Sequence, residues 1–220
     1  MVKYTVLALL LFTALKPAQA QTAPPFWQDI AGFKKMDSVQ PPPAHPIVLV
    51  GSSSFTRWTN VNAAFPGYPI VNRGFGGSVL PDLVRYAYDV IIRYQPKQVI
   101  VYCGDNDLAS GDSTSVAEVV LRVKTLYGMV RTNLPEAVFS FVSIKPSPSR
   151  AGIQKKVRAA NAQIKAFLKT QKKTDFINVY DPMLDTKGAM REELYVADRL
   201  HMKPEGYEIW KKVMLPYLQK

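Results

Sequence analysis

The sequence predicts an α/β fold with three layers, α/β/α, in which helices cover both faces of a mostly parallel five-stranded sheet. Three observations favour this fold class. Five short β-rich apolar runs recur along the chain, stretches with helical spacing separate most of them, and polar or glycine-rich segments follow several of the runs. This alternation is typical of β-α-β units. A length of 220 residues suits one such domain, and an apolar content of 47% suffices for its core.

The positions of these patterns predict the order of the elements. Strands are predicted at residues 47–50, 70–72, 99–102, 138–144 and 176–179. Helices are predicted at residues 80–94, 115–127, 153–168 and 204–218. Pro81 near the start of the first of these helices, and Ser115 with Glu118 as a capping box in the second, are typical N-terminal signals. We expect the functional residues on loops just past the carboxyl ends of the strands.

Residues 1–20 have the pattern of a signal peptide. Lys3 gives a positive start, Val6–Leu15 is an apolar run, and Ala18 and Ala20 fit the small-x-small cleavage pattern. The apolar run is too short to span a bilayer, so we expect no stable membrane anchor, although a retained anchor is the alternative. The sequence therefore predicts cleavage after Ala20 and a secreted or periplasmic protein.

The remaining chain divides into a lead-in and one domain. Residues 21–46 are predicted to be an extended lead-in, because Pro41–Pro43 disfavour regular structure just before the first strand. Residues 47–220 are predicted to form a single domain. His45 falls at the amino end of the first strand, away from the expected functional edge, and is interpreted as a surface or packing residue.

Charge and cysteine content bound the possible functions. The formal charge of +11 attracts polyanions non-specifically, but the charge is spread along the chain. The densest basic cluster, within residues 155–173, has the pattern of a solvated helix face, with a nucleic-acid patch as the alternative. The sequence contains no zinc-finger or RNA-binding strand motif, so no specific nucleic-acid partner is expected. Cys103 is the only cysteine, which excludes an intrachain disulfide, and its apolar surroundings predict a buried, unreactive thiol.

Two segments contain side chains suited to acyl transfer. Asp198 and His201 stand three residues apart before the last predicted helix, so the carboxylate can orient the imidazole as a base. A capping or surface pair is the alternative. Ser52, Ser53 and Ser54 directly follow the first strand. Serines at this place can cap a helix. Alternatively, one of them is a nucleophile at a strand-to-helix turn, where the backbone amides at the helix N-terminus point at the developing oxyanion.

Two further segments follow the second and third apolar runs. Gly74–Ser78 lacks the third glycine of the dinucleotide-binding pattern, and its glycines allow a backbone N–H to approach a ligand closely. An ordinary glycine-rich turn is the alternative. Gly104–Asp107 has two aspartates but not the calcium-loop spacing, so no metal is expected. The side-chain amide of Asn106 could instead donate a hydrogen bond to an oxyanion.

In this order, the four segments resemble the four blocks of the SGNH hydrolases, also called the GDSL lipase/acylhydrolase family. Those blocks supply Ser, Gly, Asn and His in the same chain order. The resemblance runs from about Val48 to Tyr207. It implies a flavodoxin-like SGNH hydrolase fold and hydrolysis of carboxylic esters through an acyl-enzyme, with no metal and no organic cofactor.

The resemblance also assigns roles to individual residues. Ser53 matches the nucleophile of the family's Gly-Asp-Ser signature, His201 matches the general base, and Asp198 matches the carboxylate that holds it. The oxyanion hole would comprise the backbone N–H groups of Ser53 and Gly77 and the side-chain amide of Asn106.

One position departs from the family pattern. Ser52 stands where the family signature has an acidic residue. That acid is not the triad carboxylate, so the resemblance still implies activity, but the local hydrogen bonding around the nucleophile must differ. The departure also leaves Ser52 and Ser54 as alternative nucleophiles.

The family spans several substrate classes, and we expect a small-molecule or glycan ester, with deacetylation of a carbohydrate favoured by the short chain. A lysophospholipase or thioesterase of the same family is one alternative, and a non-catalytic envelope glycan-binding module that retains the fold is another. Arg73, Lys145 and Arg150 lie on expected loops and could meet an anionic group, although a simple surface role is the preferred interpretation of all three.

Overall fold

The computed structural model describes residues 23–111 and 114–220. Five strands form one sheet in the order β2-β1-β3-β4-β5, and all four pairings are parallel. The strands are β1 Ile47–Gly51, β2 Ile70–Gly74, β3 Gln98–Tyr102, β4 Val138–Val142 and β5 Thr174–Ile177. The predicted fold class is confirmed. The strand order reverses at β1, so the crevice for a ligand lies at the carboxyl ends of β1 and β3.

Helices cover both faces of this sheet. They are α1 Trp27–Val39, α2 Ser53–Thr56, α3 Val61–Ala64, α4 Leu80–Arg85, α5 Ala87–Val90, α6 Asp105–Ala109, α7 Val116–Asn133, α8 Gln154–Lys169 and α9 Pro204–Met214. Successive residues of β1 point to opposite faces. Val48 and Val50 belong to the core beneath α1, α4, α5, α7 and α8, whereas Ile47 and Leu49 belong to the core beneath α2, α3 and α9.

Burial explains the character of the apolar runs. Every residue of the central strands β1 and β3 is buried, because helices pack on both faces of these strands. A strand buried on both faces requires a continuous apolar run rather than an alternating one. Cys103, immediately after β3, is fully buried, as the sequence predicts, and burial raises the pKa of its thiol well above the ordinary value.

Two predicted elements differ from the structure in their extent. The helix expected at 80–94 is broken into α4, α5 and a 3₁₀ turn at Ile92–Tyr94. The backbone leaves the helical conformation at Tyr86 and Ile91, whose side chains are buried in the core, so packing overrides the helical spacing there. The strand expected to reach residue 144 ends at Val142, because the Ile144 backbone pairs instead with the side-chain amide of Asn161 on α8.

The prediction that residues 21–46 form an extended lead-in is wrong for residues 27–39. These residues form helix α1, whose Ile30 is buried in the core. Asp37, also on α1, is buried and forms an ion pair with Arg73 at the end of β2. This helix is therefore held by both apolar packing and a buried ion pair. The proline run Pro41–Pro43 begins only after the helix has ended, so residues 27–39 are not extended.

The predicted signal peptide, residues 1–20, lies outside the described residues. Within residues 23–111 and 114–220, no helix is both long enough and apolar enough to cross a membrane.

Candidate active site

The four sequence segments predicted to carry chemistry meet at the carboxyl edge of the sheet. Ser53 begins α2 directly after β1, Gly77 follows β2, and Asn106 lies in α6 after β3. Asp198 and His201 lie on the loop before α9. A cleft of about 320 Å³ opens at this point. It is lined by Ser53, Thr56, Arg57, Gly76, Gly77, Asn106, Leu200 and His201.

A chain of hydrogen bonds joins three of the predicted residues. The Oγ atom of Ser53 lies 2.9 Å from Nε2 of His201, and Nδ1 of His201 lies 2.6 Å from Oδ2 of Asp198. A carboxylate can only accept, so the Nδ1–H of His201 donates to Asp198. In the neutral imidazole, Nε2 is then free to accept the hydroxyl proton of Ser53.

Asp198 is held by its own loop. Its Oδ1 atom accepts hydrogen bonds from the backbone N–H groups of Leu200 and His201, each at 2.9 Å. Desolvation raises the pKa of Asp198, but the hydrogen bonds from the His201 side chain, the His201 backbone and the Leu200 backbone outweigh it and hold the pKa well below the usual range. The carboxylate is 44% exposed, yet it remains ionised beside the histidine.

Helix α9 fixes the distance between the serine and histidine segments. Its Trp210 is fully buried and packs edge-on against Phe55 of α2 and Tyr102 of β3. Tyr207, one turn earlier, donates a hydrogen bond to the carbonyl of Ser54 at 2.9 Å. The helix that follows His201 is therefore packed directly onto the helix that begins with Ser53.

The three consecutive serines have different surroundings. Ser52 and Ser54 are 1% and 2% exposed, and Ser53 alone of the three reaches His201. Gly51 makes this turn possible. Its φ of +148° favours glycine, and a Cβ atom added at this position would lie 1.9 Å from the carbonyl oxygen of Tyr102 on β3. The turn therefore has no room for a side chain at residue 51.

Three potential oxyanion donors face the same cleft. Among the described residues, the backbone N–H groups of Ser53 and Gly77 have no hydrogen-bond partner. Gly77 has a φ of +84°, a conformation that favours glycine. The side-chain Nδ2 of Asn106 donates to Oγ of Ser52 at 2.8 Å and to the carbonyl of Ser78 at 3.2 Å. Ser52, which replaces the acid of the family signature, thus accepts a hydrogen bond from the predicted oxyanion donor.

The aspartates on either side of Asn106 are engaged in ion pairs. Asp105 pairs with Lys145 at 3.4 Å, and Asp107 pairs with Arg122 at 2.8 Å. Asp107 also accepts a hydrogen bond from the Leu80 backbone. Burial raises its pKa, while the hydrogen bond from Arg122 opposes the rise. Both carboxylates therefore anchor α6 to the rest of the fold.

The preferred surface interpretation is wrong for two of the three cations. Lys145 is 2% exposed and pairs with Asp105 of α6. Arg73 is buried against α1, where it pairs with Asp37 and also donates to the Tyr94 hydroxyl at 2.7 Å. Arg150 is partly exposed. None of these three side chains lines the cleft with Ser53.

Two residues that line the cleft lie outside the segments singled out in the sequence: Thr56 and Arg57. Gly76 and Leu200, which also line it, fall within the second and fourth of those segments, without a role of their own. One signal was available for Arg57. It stands four residues after Ser53, and a helix beginning at Ser53 places residues at that spacing on one face.

The family assignment follows from a sequence comparison. The profile of the GDSL-like Lipase/Acylhydrolase family matches residues 43–209. The chain belongs to this family. It is a hydrolase that acts on ester bonds. The matched range of this GDSL family member includes all four segments that carry the resemblance. No curated protein sequence matches the chain.

Solved structures share the fold of this GDSL family member. A Streptococcus pneumonia protein whose provisional name refers to platelet activating factor has a TM-score of 0.76 at 19% identity, over 87% of this chain and 92% of that chain. A GDSL-like lipase from Bacteroides thetaiotaomicron has a TM-score of 0.73 at 20% identity, over 86% and 96%. An acetylxylan esterase from Geobacillus stearothermophilus, in a catalytic-mutant form, has a TM-score of 0.64 at 12% identity, over 80% and 97%.

Proposed function

We propose that this chain hydrolyses carboxylic esters through an acyl-enzyme formed on Ser53, with His201 as general base and Asp198 as the carboxylate that orients it. The observation that carries the proposal is the unbroken hydrogen-bond chain from Ser53 Oγ through His201 to Asp198, at the wall of an open cleft.

In the first step, Ser53 Oγ attacks the ester carbonyl carbon while its proton passes to Nε2 of His201. The imidazolium that forms is stabilised by the ionised Asp198. Collapse of the tetrahedral intermediate breaks the bond to the alcohol oxygen, and His201 returns the proton to the leaving alcohol. In the second step, water activated by His201 attacks the acyl-enzyme and releases the acid and free Ser53.

The negative charge that develops on the carbonyl oxygen requires donors that are already in place. The N–H groups of Ser53 and Gly77 have no competing partner among the described residues. The side-chain amide of Asn106 already donates two hydrogen bonds, to Ser52 and to Ser78. An oxyanion would replace the Ser78 carbonyl, which accepts the longer of the two. The bond to Ser52 then keeps the amide oriented.

For the substrate, we propose a small acyl group, acetyl above all, on a carbohydrate or similar alcohol. The cleft of about 320 Å³ is small, and one structure with the same fold is an acetylxylan esterase. Another, from Clostridium thermocellum, is a family 3 carbohydrate esterase with a TM-score of 0.59 at 17% identity, over 80% of this chain and 97% of that chain. We also propose export from the cytoplasm, on the signal-peptide pattern of residues 1–20.

The test is hydrolysis of 4-nitrophenyl acetate and 4-nitrophenyl octanoate by the mature protein. We expect turnover of both esters, with the acetate preferred in kcat/KM. Preference for the octanoate would overturn the small-acyl proposal in favour of a lipid substrate. Failure to hydrolyse either ester, together with retention on immobilised glycans, would favour a binding module instead.

Replacement of Asn106 by alanine tests the oxyanion assignment. We expect kcat for 4-nitrophenyl acetate to fall by about 10²–10³-fold with little change in KM, because the lost hydrogen bond is made mainly in the transition state. Circular dichroism should remain close to wild type, since Asn106 is only partly buried. Tm should fall by a few degrees, because the buried Ser52 hydroxyl and Ser78 carbonyl lose their donor. An unchanged kcat would remove Asn106 from the oxyanion hole.

A further inference from the structure

Among the described residues that line the cleft beside Ser53, Arg57 is the one with a permanent positive charge. Arg57 lines the cleft and is exposed. Its backbone N–H donates to the Ser53 carbonyl at 2.9 Å, which keeps it on the same helical turn. Within the part of the chain that the structure describes, the Arg57 guanidinium has no ion pair or hydrogen bond. It is therefore available to a ligand.

Other charged groups near the cleft have partners of their own. Asp198, on the His201 loop, accepts hydrogen bonds from His201 and from backbone N–H groups with its two oxygens. Lys145 is buried and paired with Asp105. Among the described residues, no acidic side chain lines the cleft. Arg57 is therefore the one permanently charged side chain that the described residues contribute to the cleft wall.

The spacing places Arg57 beside Ser53 on the cleft wall. Residues four apart on a helical turn have their Cβ atoms about 5–6 Å from each other. The flexible arginine side chain extends beyond its Cβ atom, so the guanidinium can meet a group that is bonded close to the scissile ester. An acetyl group carries no charge, so a charged group that Arg57 binds belongs to the alcohol moiety. Arginine suits such a role, since its planar donors match carboxylate and phosphate oxygens.

We propose that Arg57 selects esters whose alcohol moiety carries an anionic group, a carboxylate or a phosphate, next to the scissile bond. This inference rests on the proposed function and narrows its substrate to the esters of acidic alcohols, such as acetylated acidic sugars. Arg57 acts in this account as a specificity-determining residue that contacts the substrate rather than the reacting atoms.

The test compares two acetate esters that differ by one charge, 4-acetoxybenzoate and 4-acetoxybenzamide. We expect wild type to favour the benzoate, and Arg57→Gln to lower the ratio of the two kcat/KM values by about 1.4- to fivefold, the range of an exposed ion pair. Arg57→Lys should retain part of the preference, and 150 mM salt should reduce it in the wild type. Comparing this ratio between wild type and Arg57→Gln cancels the difference in leaving-group chemistry between the two esters.

A matched control is Arg85→Gln, because Arg85 is exposed on α4 and does not line the cleft. Its ratio should equal that of wild type. A third ester, 4-acetoxyphenyl phosphate, distinguishes a carboxylate ligand from a phosphate ligand. The ester whose kcat/KM falls more in Arg57→Gln carries the preferred anionic group. An unchanged ratio in Arg57→Gln overturns this inference alone. Absence of any Ser53-dependent turnover overturns the proposed function as well.

Discussion

Replacement of Ser53 or of His201 by alanine is expected to lower kcat for 4-nitrophenyl acetate by about 10⁴-fold or more. In the proposed mechanism Ser53 supplies the attacking oxygen. Of the two histidines in the sequence, His201 is the one whose ring lies within reach of it, at 2.9 Å. The two residues act as one unit, so the double variant should be no worse than the poorer single variant. Steady-state kinetics on the purified variants measures all three effects.

Two substitutions of the same kind serve as controls. Ser38 is exposed on α1, and His45 is exposed at the amino end of β1, where its ring contacts the Gln95 carbonyl at 3.0 Å. Ser38→Ala and His45→Ala should both retain wild-type kcat. If Ser53→Ala kept substantial activity while Ser52→Ala lost it, the assignment of the nucleophile would be wrong.

Replacement of Lys145 by methionine is expected to destabilise the fold by about 3–5 kcal/mol, because it leaves the Asp105 carboxylate buried without its cation. Lys145 is 2% exposed, and its Nζ atom lies 3.4 Å from Asp105 and 3.1 Å from the hydroxyl of Tyr102. Burial lowers the pKa of Lys145, while the charge of Asp105 opposes this shift. The pair therefore depends on both partners being present.

Thermal unfolding measures this effect. For a domain of this size, the expected destabilisation corresponds to a fall in Tm of about 6–20 °C. The double variant Lys145→Met with Asp105→Asn should recover part of the loss, since the unpaired buried charge is gone. Lys165→Met, on the exposed face of α8, should change the free energy of unfolding by no more than about 0.5 kcal/mol. A Lys145→Met variant as stable as Lys165→Met would show that the ion pair is dispensable.

The residues predicted to form the site share one property that makes them predictable. Ser53, Gly77 and Asn106 each follow a strand of a parallel sheet, and the carboxyl ends of such strands meet at one edge. Their coming together therefore follows from the order of the apolar runs. His201 is different: its distance from Ser53 depends on α9 packing through Trp210, which only the folded chain reveals.

The features that the sequence did not predict depend on partners far along the chain. Arg73 is buried in an ion pair with Asp37, which lies 36 residues before it. Lys145 is buried in an ion pair with Asp105, which lies 40 residues before it. A basic residue on a loop gives no local sign of such a partner, so surface exposure is the natural expectation. Helix α1 was obscured by the proline run that follows it, although Ile30 and Asp37 already stand on its buried side.

Ser52 gives the departure from the family signature a structural meaning. Its hydroxyl accepts from Asn106 at 2.8 Å, so a neutral side chain here still contacts the predicted oxyanion donor. The turn that presents Ser53 depends on Gly51 rather than on an acid at position 52. The geometry around Ser53 is thus compatible with serine at that position.

The most direct test of the central claim is covalent labelling of the wild-type protein with an alkyl fluorophosphonate, followed by peptide mass spectrometry. The reagent reacts with a serine activated by an adjacent base. We predict a single adduct on Ser53, abolished in Ser53→Ala and strongly slowed in His201→Ala. An adduct on Ser52 or Ser54, or an unlabelled protein that still hydrolyses 4-nitrophenyl acetate, would contradict it.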